Sequence, residues 1–234
     1  MKYILIIETS DRANSIAICD TEGRLINYID EISEQYTHIE LLQVNIDKLL
    51  KDNGISFSDF CAIAVSSGPG SYTGLRIGIS SAKGYAYALD IPLISLPTLE
   101  LIANGMIDYL DAKNENIILI PTIDARRMEV YMQMFDYQLH PISEPSAQII
   151  DEQYFSNFPK DKKYYWGGSG AEKLLNLFSE NHKIISDVPY PLARYGVALA
   201  VNKYNACKYE NIAYFEPFYL KEFIPGKPRV KGLD

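Results

Sequence analysis

Apolar and polar residues alternate along this chain in blocks whose period changes from two to about 3.6. Residues 3–8, 14–20 and 25–32 are short apolar or alternating runs parted by polar turns, and they predict three strands joined by two hairpins. Residues 35–50 switch to a helical stripe. Ile39, Leu42, Ile46, Leu49 and Leu50 share one face, Leu41, Val44 and Lys48 another, and Asn53-Gly54 stops the helix. The run 61–65 predicts a buried strand. Gly68, Pro69, Gly70 and Ser71 then break the pattern, and a helix follows over 72–89. In it Gly74, Gly78, Ser81 and Tyr85 form a row of mostly small residues beside the apolar row Leu75, Ile79, Ala82 and Ala86. A helix small or apolar over so much of its circumference predicts burial on more than one side, against its own sheet and against a second helix. A short strand at 92–95 and a helix at 99–110, capped by Thr98, complete this half.

Polar residues 111–116 mark a boundary between a lobe of residues 1–110 and one of residues 111–216. The second lobe begins as the first does: an apolar strand at 117–123, a polar turn at 124–127 and an alternating strand at 128–135, a weak internal repeat. Residues 137–165 carry little periodicity. A short strand at 164–166 precedes Gly167-Gly168-Ser169-Gly170 and a helix at 171–179, and a last helix is predicted at 192–206. Residues 217–234 form an extended basic tail with Lys221, Lys227, Arg229 and Lys231 among Pro217, Pro225 and Pro228.

Composition narrows the function classes. With 234 residues, 47% hydrophobic and 22% charged, the chain can build a large core in one or two domains. A formal net charge of −8 argues against a protein that grips nucleic acid by itself, because phosphate contacts need clustered cations. No apolar stretch approaches the roughly 18 residues of a membrane span, and the first residues read as a strand and not a leader. Cys19, Cys61 and Cys207 are widely spaced, which predicts free thiols in a reducing cytoplasm.

Three loops carry candidate chemistry. The turn Glu8-Thr9-Ser10-Asp11-Arg12 puts a carboxylate and two hydroxyls at a sheet edge, although Thr and Ser favour turns in any case. Gly68 and Gly70 permit close approach of a backbone or a phosphate, and no GKS or GKT comes after them to make a P-loop. Gly167, Gly168 and Gly170 open a helix, either as an anion site or as an ordinary turn. Ser71 has no histidine evidently placed as its base, and neither G-x-S-x-G nor H-E-x-x-H occurs, which argues against a peptidase. His38 has Leu42 one helical turn on, so no ligand pair for a metal forms there.

The motifs IETS, GPGSYTGLRIG and PTIDARRMEVY closely resemble the TsaB (YeaZ) family, and the likeness is strongest over 3–19, 36–43, 66–98 and 121–131. This resemblance implies an α/β protein with a duplicated actin-like (ribonuclease H-like) ATPase fold, two lobes each with a mixed β-sheet flanked by helices. It implies a non-catalytic activator of threonylcarbamoyl transfer to adenosine 37 of tRNA (t6A). Such a protein pairs with TsaD, recruits TsaE, meets tRNA only through the complex, and forms a homodimer when alone. The pairing helices are the first two, which makes His38, Leu41, Leu42, Gly74, Leu75, Arg76, Gly78, Ile79, Ser81 and Lys83 the expected interface. Gly78→Leu is then expected to abolish pairing and leave the chain folded. Glu8, Thr9, Ser10, Gly68, Gly70, Asp124, Gly167, Gly168 and Gly170 become worn nucleotide loops, with no catalytic residue, no metal and no cofactor beyond weak nucleotide binding. Glu8 stands where actin-like ATPases usually carry Asp, and Ala125 departs from their second turn. The alternative is a small-molecule kinase or ATPase of the same superfamily, with Glu8 and Asp124 as the acidic pair for Mg²⁺. The tail clamps its own lobe, a partner or tRNA, or is simply solvated.

Overall fold

Isoleucine and alanine on both faces of the first strands require cover on both sides, and the architecture supplies it. The structure is a computed structural model; it describes residues 2–32, 38–110, 115–156, 158–178 and 180–221, with backbone alone for 38–40 and 152. β1 (Tyr3–Glu8) and β2 (Ala13–Asp20) are buried almost throughout, while β3 (Leu25–Ile32) lies half exposed at the sheet edge. After α1 (His38–Asn53) come β4 (Phe60–Gly68), α2 (Tyr72–Leu89), β5 (Leu93–Pro97) and α3 (Thr98–Met106). The sheet order is β3-β2-β1-β4-β5, antiparallel across β3-β2-β1 and parallel across β1-β4-β5. Leu5, Ile7, Ile16, Ile18, Ile63 and Val65 pack with Leu42, Ile46 and Leu49 of α1 and with Ile79, Ala82 and Ala86 of α2. The opposite face, with Ile4, Ile6, Ala62 and Ala64, packs with Leu101 of α3.

The second half repeats this plan. β6 (Ile117–Asp124), β7 (Glu129–Met132), β8 (Phe135–Asp136), β9 (Ser146–Ile149), α4 (Glu152–Phe155), β10 (Lys163–Gly167) and β11 (His182–Ile184) succeed one another. Read from β9, the order β9-β7-β6-β10-β11 has the same directions as the first sheet: two antiparallel pairings, then two parallel ones. The echo in the sequence is thus a duplication of topology, and the duplicated actin-like arrangement is present. α3 lies between the two sheets: its Leu99, Ile102, Ala103 and Met106 join the core of the second sheet beside Ile117 and Leu119.

Some elements differ from the sequence expectation. The strand expected at 128–135 is divided, because Met134 N–H donates to the Ser143 hydroxyl at 2.9 Å and leaves the ladder. The helix expected at 171–179 is a 3₁₀ segment (Glu172–Leu177) in which Leu174 alone is buried, too little apolar surface for a longer helix. The helix expected at 99–110 stops at Met106 and continues as a 3₁₀ turn, and Thr98, buried, accepts from Gly68 N–H at 3.2 Å instead of capping. α5 (Val197–Asn205) comes after a 3₁₀ turn at Ala193–Gly196 and packs back on the first sheet through Ala200 and Val201. Residues 193–205 therefore complete the first lobe, not the lobe of 111–216 that held them in sequence. The start of the 35–50 helix, residues 111–114 of the polar boundary, and residues 222–234 with Lys227, Arg229 and Lys231 lie outside the described residues.

Candidate functional site

The ends of β1, β4, β6 and β10 meet across a cleft of about 1450 Å³, lined among others by Asp11, Tyr72, Asp124, Arg126, Lys173 and Tyr219. Glu8, expected here, is not in the cleft: it is fully buried beneath it. Its Oε1 accepts from Ser10 N–H at 2.5 Å, while Oε2 and the hydroxyls of Ser10 and Ser66 have no hydrogen-bond partner among the described residues. Burial raises the Glu8 pKa from 4.5 to about 7. The carboxylate that does face the cleft is Asp11, which the sequence places in the turn without marking a role for it. It accepts from Arg12 N–H at 2.8 Å and from the Ser169 hydroxyl, and burial raises its pKa.

The second acidic turn is occupied from within. Lys173 Nζ lies 2.5 Å from Asp124 Oδ1 and donates to the Glu129 carbonyl at 2.6 Å. Asp124 N–H donates to the Ser169 hydroxyl at 3.1 Å, so one serine joins both acidic turns. The acidic pair expected of Glu8 and Asp124 is therefore not formed: one is buried and the other holds an ammonium. Among the described residues no group of three His, Cys, Asp or Glu is placed to hold a metal ion.

The glycines of the loops serve the chain's own backbone. Gly68 has φ +112°, and a Cβ on it would stand 2.3 Å from the Phe218 carbonyl oxygen. A Cβ on Gly70 would meet the Ser10 carbonyl oxygen at 2.4 Å, and one on Gly168 the Thr122 carbonyl oxygen at 2.1 Å; Gly167 and Gly170 are closed off by Met106 and by Val130. Ser71 N–H donates to the Ser10 carbonyl at 2.6 Å and Gly168 N–H to that of Val188 at 2.7 Å. Of the two occupants the sequence admitted at Gly68 and Gly70, the structure shows a backbone.

The helix row is also turned inward. A Cβ on Gly74 would lie 2.0 Å from the Thr9 carbonyl oxygen and one on Gly78 2.3 Å from Thr9 Oγ1, and that hydroxyl donates to the Gly74 carbonyl at 2.8 Å. Gly74 and Gly78 receive the chain's own first turn, not a partner helix, whereas Ser81 of the same row lies in the groove between α1 and α2. Leu75 and Ile79 are likewise buried in the chain's own core, so with Gly74 and Gly78 four of the ten expected interface residues are turned away from a partner; Leu42 is also buried but borders the surface between α1 and α2. His38 opens α1, and its side chain lies outside the described residues.

What α1 and α2 present outward overlaps the expected set in part. A groove of about 440 Å³ between them is walled by Gln43, Arg76, Ile77, Ser80 and Ser81, with Leu42 at its floor. Gln43 Nε2 donates to the Ser81 hydroxyl at 3.1 Å, and its carbonyl accepts from Tyr85. Leu41 is half-buried, Arg76 exposed, and Lys83 half-buried and bonded to the Phe215 carbonyl at 3.1 Å. Beyond the groove Val44 and Tyr87 are 60% and 80% exposed, and Gly84 faces open space. The sequence held a signal for this face: Ser80, Gly84 and Tyr87 recur at helical spacing opposite the row of Gly74 and Gly78.

The family model described as "TsaD: tRNA N6-adenosine threonylcarbamoyltransferase" matches residues 31–220, which run from the end of β3 through the second sheet and α5 to Leu220 and leave out β1 and β2. The chain belongs to the TsaD family. Within it the likeness is to TsaB (YeaZ) members over nearly the whole length. It is 28% identical over 236 aligned residues to the tRNA threonylcarbamoyladenosine biosynthesis protein TsaB of Haemophilus influenzae, covering 96% of this chain and 95% of that one. The TsaB of Bacillus subtilis is 35% identical over 136 residues, 58% of this chain and 56% of the relative. The solved structure of YeaZ from Pseudomonas aeruginosa superposes with a TM-score of 0.76 at 24% identity, covering 94% of this chain and 100% of that one, and shares its fold. No helix among the described residues is long and apolar enough to cross a membrane.

Proposed function

We propose that this chain is a non-catalytic subunit of t6A biosynthesis, which pairs with a TsaD protein through the outer faces of α1 and α2 and recruits TsaE to the pair. The process is the one named for its full-length relatives. The non-catalytic role is carried by one observation: both acidic turns are tied by Ser169 to each other, and Lys173 occupies Asp124. Phosphoryl transfer by an actin-like enzyme needs an acidic pair free to position Mg²⁺ and water. That requirement weakens the kinase or ATPase reading, and it leaves the cleft at most a weak nucleotide site.

The groove suits a helix from a partner. Ile77 offers apolar surface, Ser80 and Gly84 permit close approach, and Arg76 at the rim sets orientation more than affinity. In the absence of TsaD the same face supports a homodimer. The net charge of −8 supports a reading in which tRNA contact falls mainly to the rest of a cytoplasmic complex.

The test is t6A formation from tRNA, ATP, threonylcarbamoyl-adenylate, TsaD and TsaE, with and without this chain, beside ATP hydrolysis by the chain alone. Modification that depends on the chain, without hydrolysis, is the expected result. Modification independent of it, or turnover by the isolated chain, overturns the proposal.

A further inference from the structure

The segment after α5 leaves its own lobe and ends on the other one. Ile212 and Phe215 pack against the core of the first sheet, and Lys83 of α2 donates to the carbonyls of Ala213 and Phe215 at 3.4 and 3.1 Å. Phe218 N–H then donates to the Ser67 carbonyl at 2.7 Å, and its own carbonyl lies over Gly68. The Tyr219 ring stacks on Tyr72 with centroids 4.9 Å apart. Two residues on, Lys221 Nζ meets Glu129 Oε2 of β7 at 2.5 Å, on the far side of the cleft. The path runs from α2, over the glycine loop, to the second lobe.

Arg76 sits at the centre of this path. Its Nε donates to the Tyr219 hydroxyl at 3.3 Å, and its guanidinium lies 4.2 Å above the Tyr72 ring. The same side chain is a wall of the α1–α2 groove. A single guanidinium therefore touches both the groove and the segment that bridges the cleft.

We propose that residues 213–221 are a strap that couples the α1–α2 groove to the interlobe cleft through Arg76 and Tyr219. A partner group that takes the Arg76 guanidinium, a carboxylate for example, removes its hydrogen bond to Tyr219 and its cation–π contact with Tyr72, the ring on which Tyr219 stacks, and loosens the strap from the cleft. The coupling is a property of the isolated chain, and stands or falls separately from the identity of the partner. Contacts that span two lobes act together only if loss of one end is felt at the other.

Hydrogen exchange of the full chain tests this with three variants: Arg76→Ala, Lys221→Glu, and Lys221→Arg as the control that keeps the ion pair. Arg76→Ala is expected to raise exchange about fivefold not only near residue 76 but also in the peptide holding Glu129. Lys221→Glu is expected to raise it by a similar factor in the peptide 67–73, and Lys221→Arg to match the parent. Changes confined in each variant to the peptide around the substituted residue overturn the coupling, because the strap is then two local contacts.

Discussion

Glu8 shows how one buried carboxyl sets a property of the whole chain. Burial raises its pKa from 4.5 to about 7. Below pH 4.5 folded and unfolded chains both hold this proton, and its contribution to stability is complete. As the pH climbs, the unfolded chain ionises first, so stability falls until the folded group ionises near pH 7. The loss between pH 5 and pH 8 is about 2–3 kcal/mol. Glu8→Gln removes it: urea unfolding should find the variant the more stable chain at pH 8, with that advantage shrinking or reversing at pH 5. An unchanged pH slope in the variant contradicts the burial of an ionisable Glu8. Gly78 is constrained by packing in place of charge. Leu there must displace Thr9, so Gly78→Leu is expected to destabilise the monomer by about 2–3 kcal/mol, and its effect on pairing cannot be read apart from folding. Thermal unfolding of the isolated variant decides this, and an unshifted midpoint contradicts the packing.

At the scale of the element, α2 has two faces, and the sequence allowed its small residues to be assigned to the wrong one. Periodicity showed that Gly74 and Gly78 share a row, and it placed the helix at its observed bounds and the preceding buried strand within three residues of its own. It did not show what meets the row, because Thr9 is 65 residues away in the chain from the Gly74 it bonds. The outer face gives a cleaner probe of pairing. Gly84 has open space around it, so Gly84→Leu is expected to raise helix stability by about 0.5 kcal/mol. The same leucine blocks the close approach of a partner helix, and co-elution with TsaD is expected to be lost. Retained co-elution excludes this face as the contact. The 3₁₀ segment Glu172–Leu177 was misread for a related reason: its pattern is helical, but its length and burial are settled by the sheet beneath it.

At the scale of the molecule, the duplication was legible from two matching strand–turn–strand runs, since β1 and β2 and then β6 carry strong apolar patterns. The second half was less so, because β7, β9 and β11 are three or four residues long and owe their pairing to partners distant in sequence. The candidate site was legible as loops and not as chemistry. The family resemblance brings the turns of Glu8 and Asp124 together, and only the folded chain shows that Glu8 lies beneath the cleft, that Asp11 faces it, and that Ser169 and Lys173 occupy Asp11 and Asp124. The proposed function puts the role on the helix faces and not on the acidic turns. The decisive experiment is the yield of t6A with TsaD and TsaE, using two variants in parallel: Asp11→Asn with Asp124→Asn, and Gly84→Leu. Near-parental yield is expected from the first and loss from the second. Loss from the first while TsaD still co-elutes, with full yield from the second, would refute the assignment and return the chemistry to the cleft.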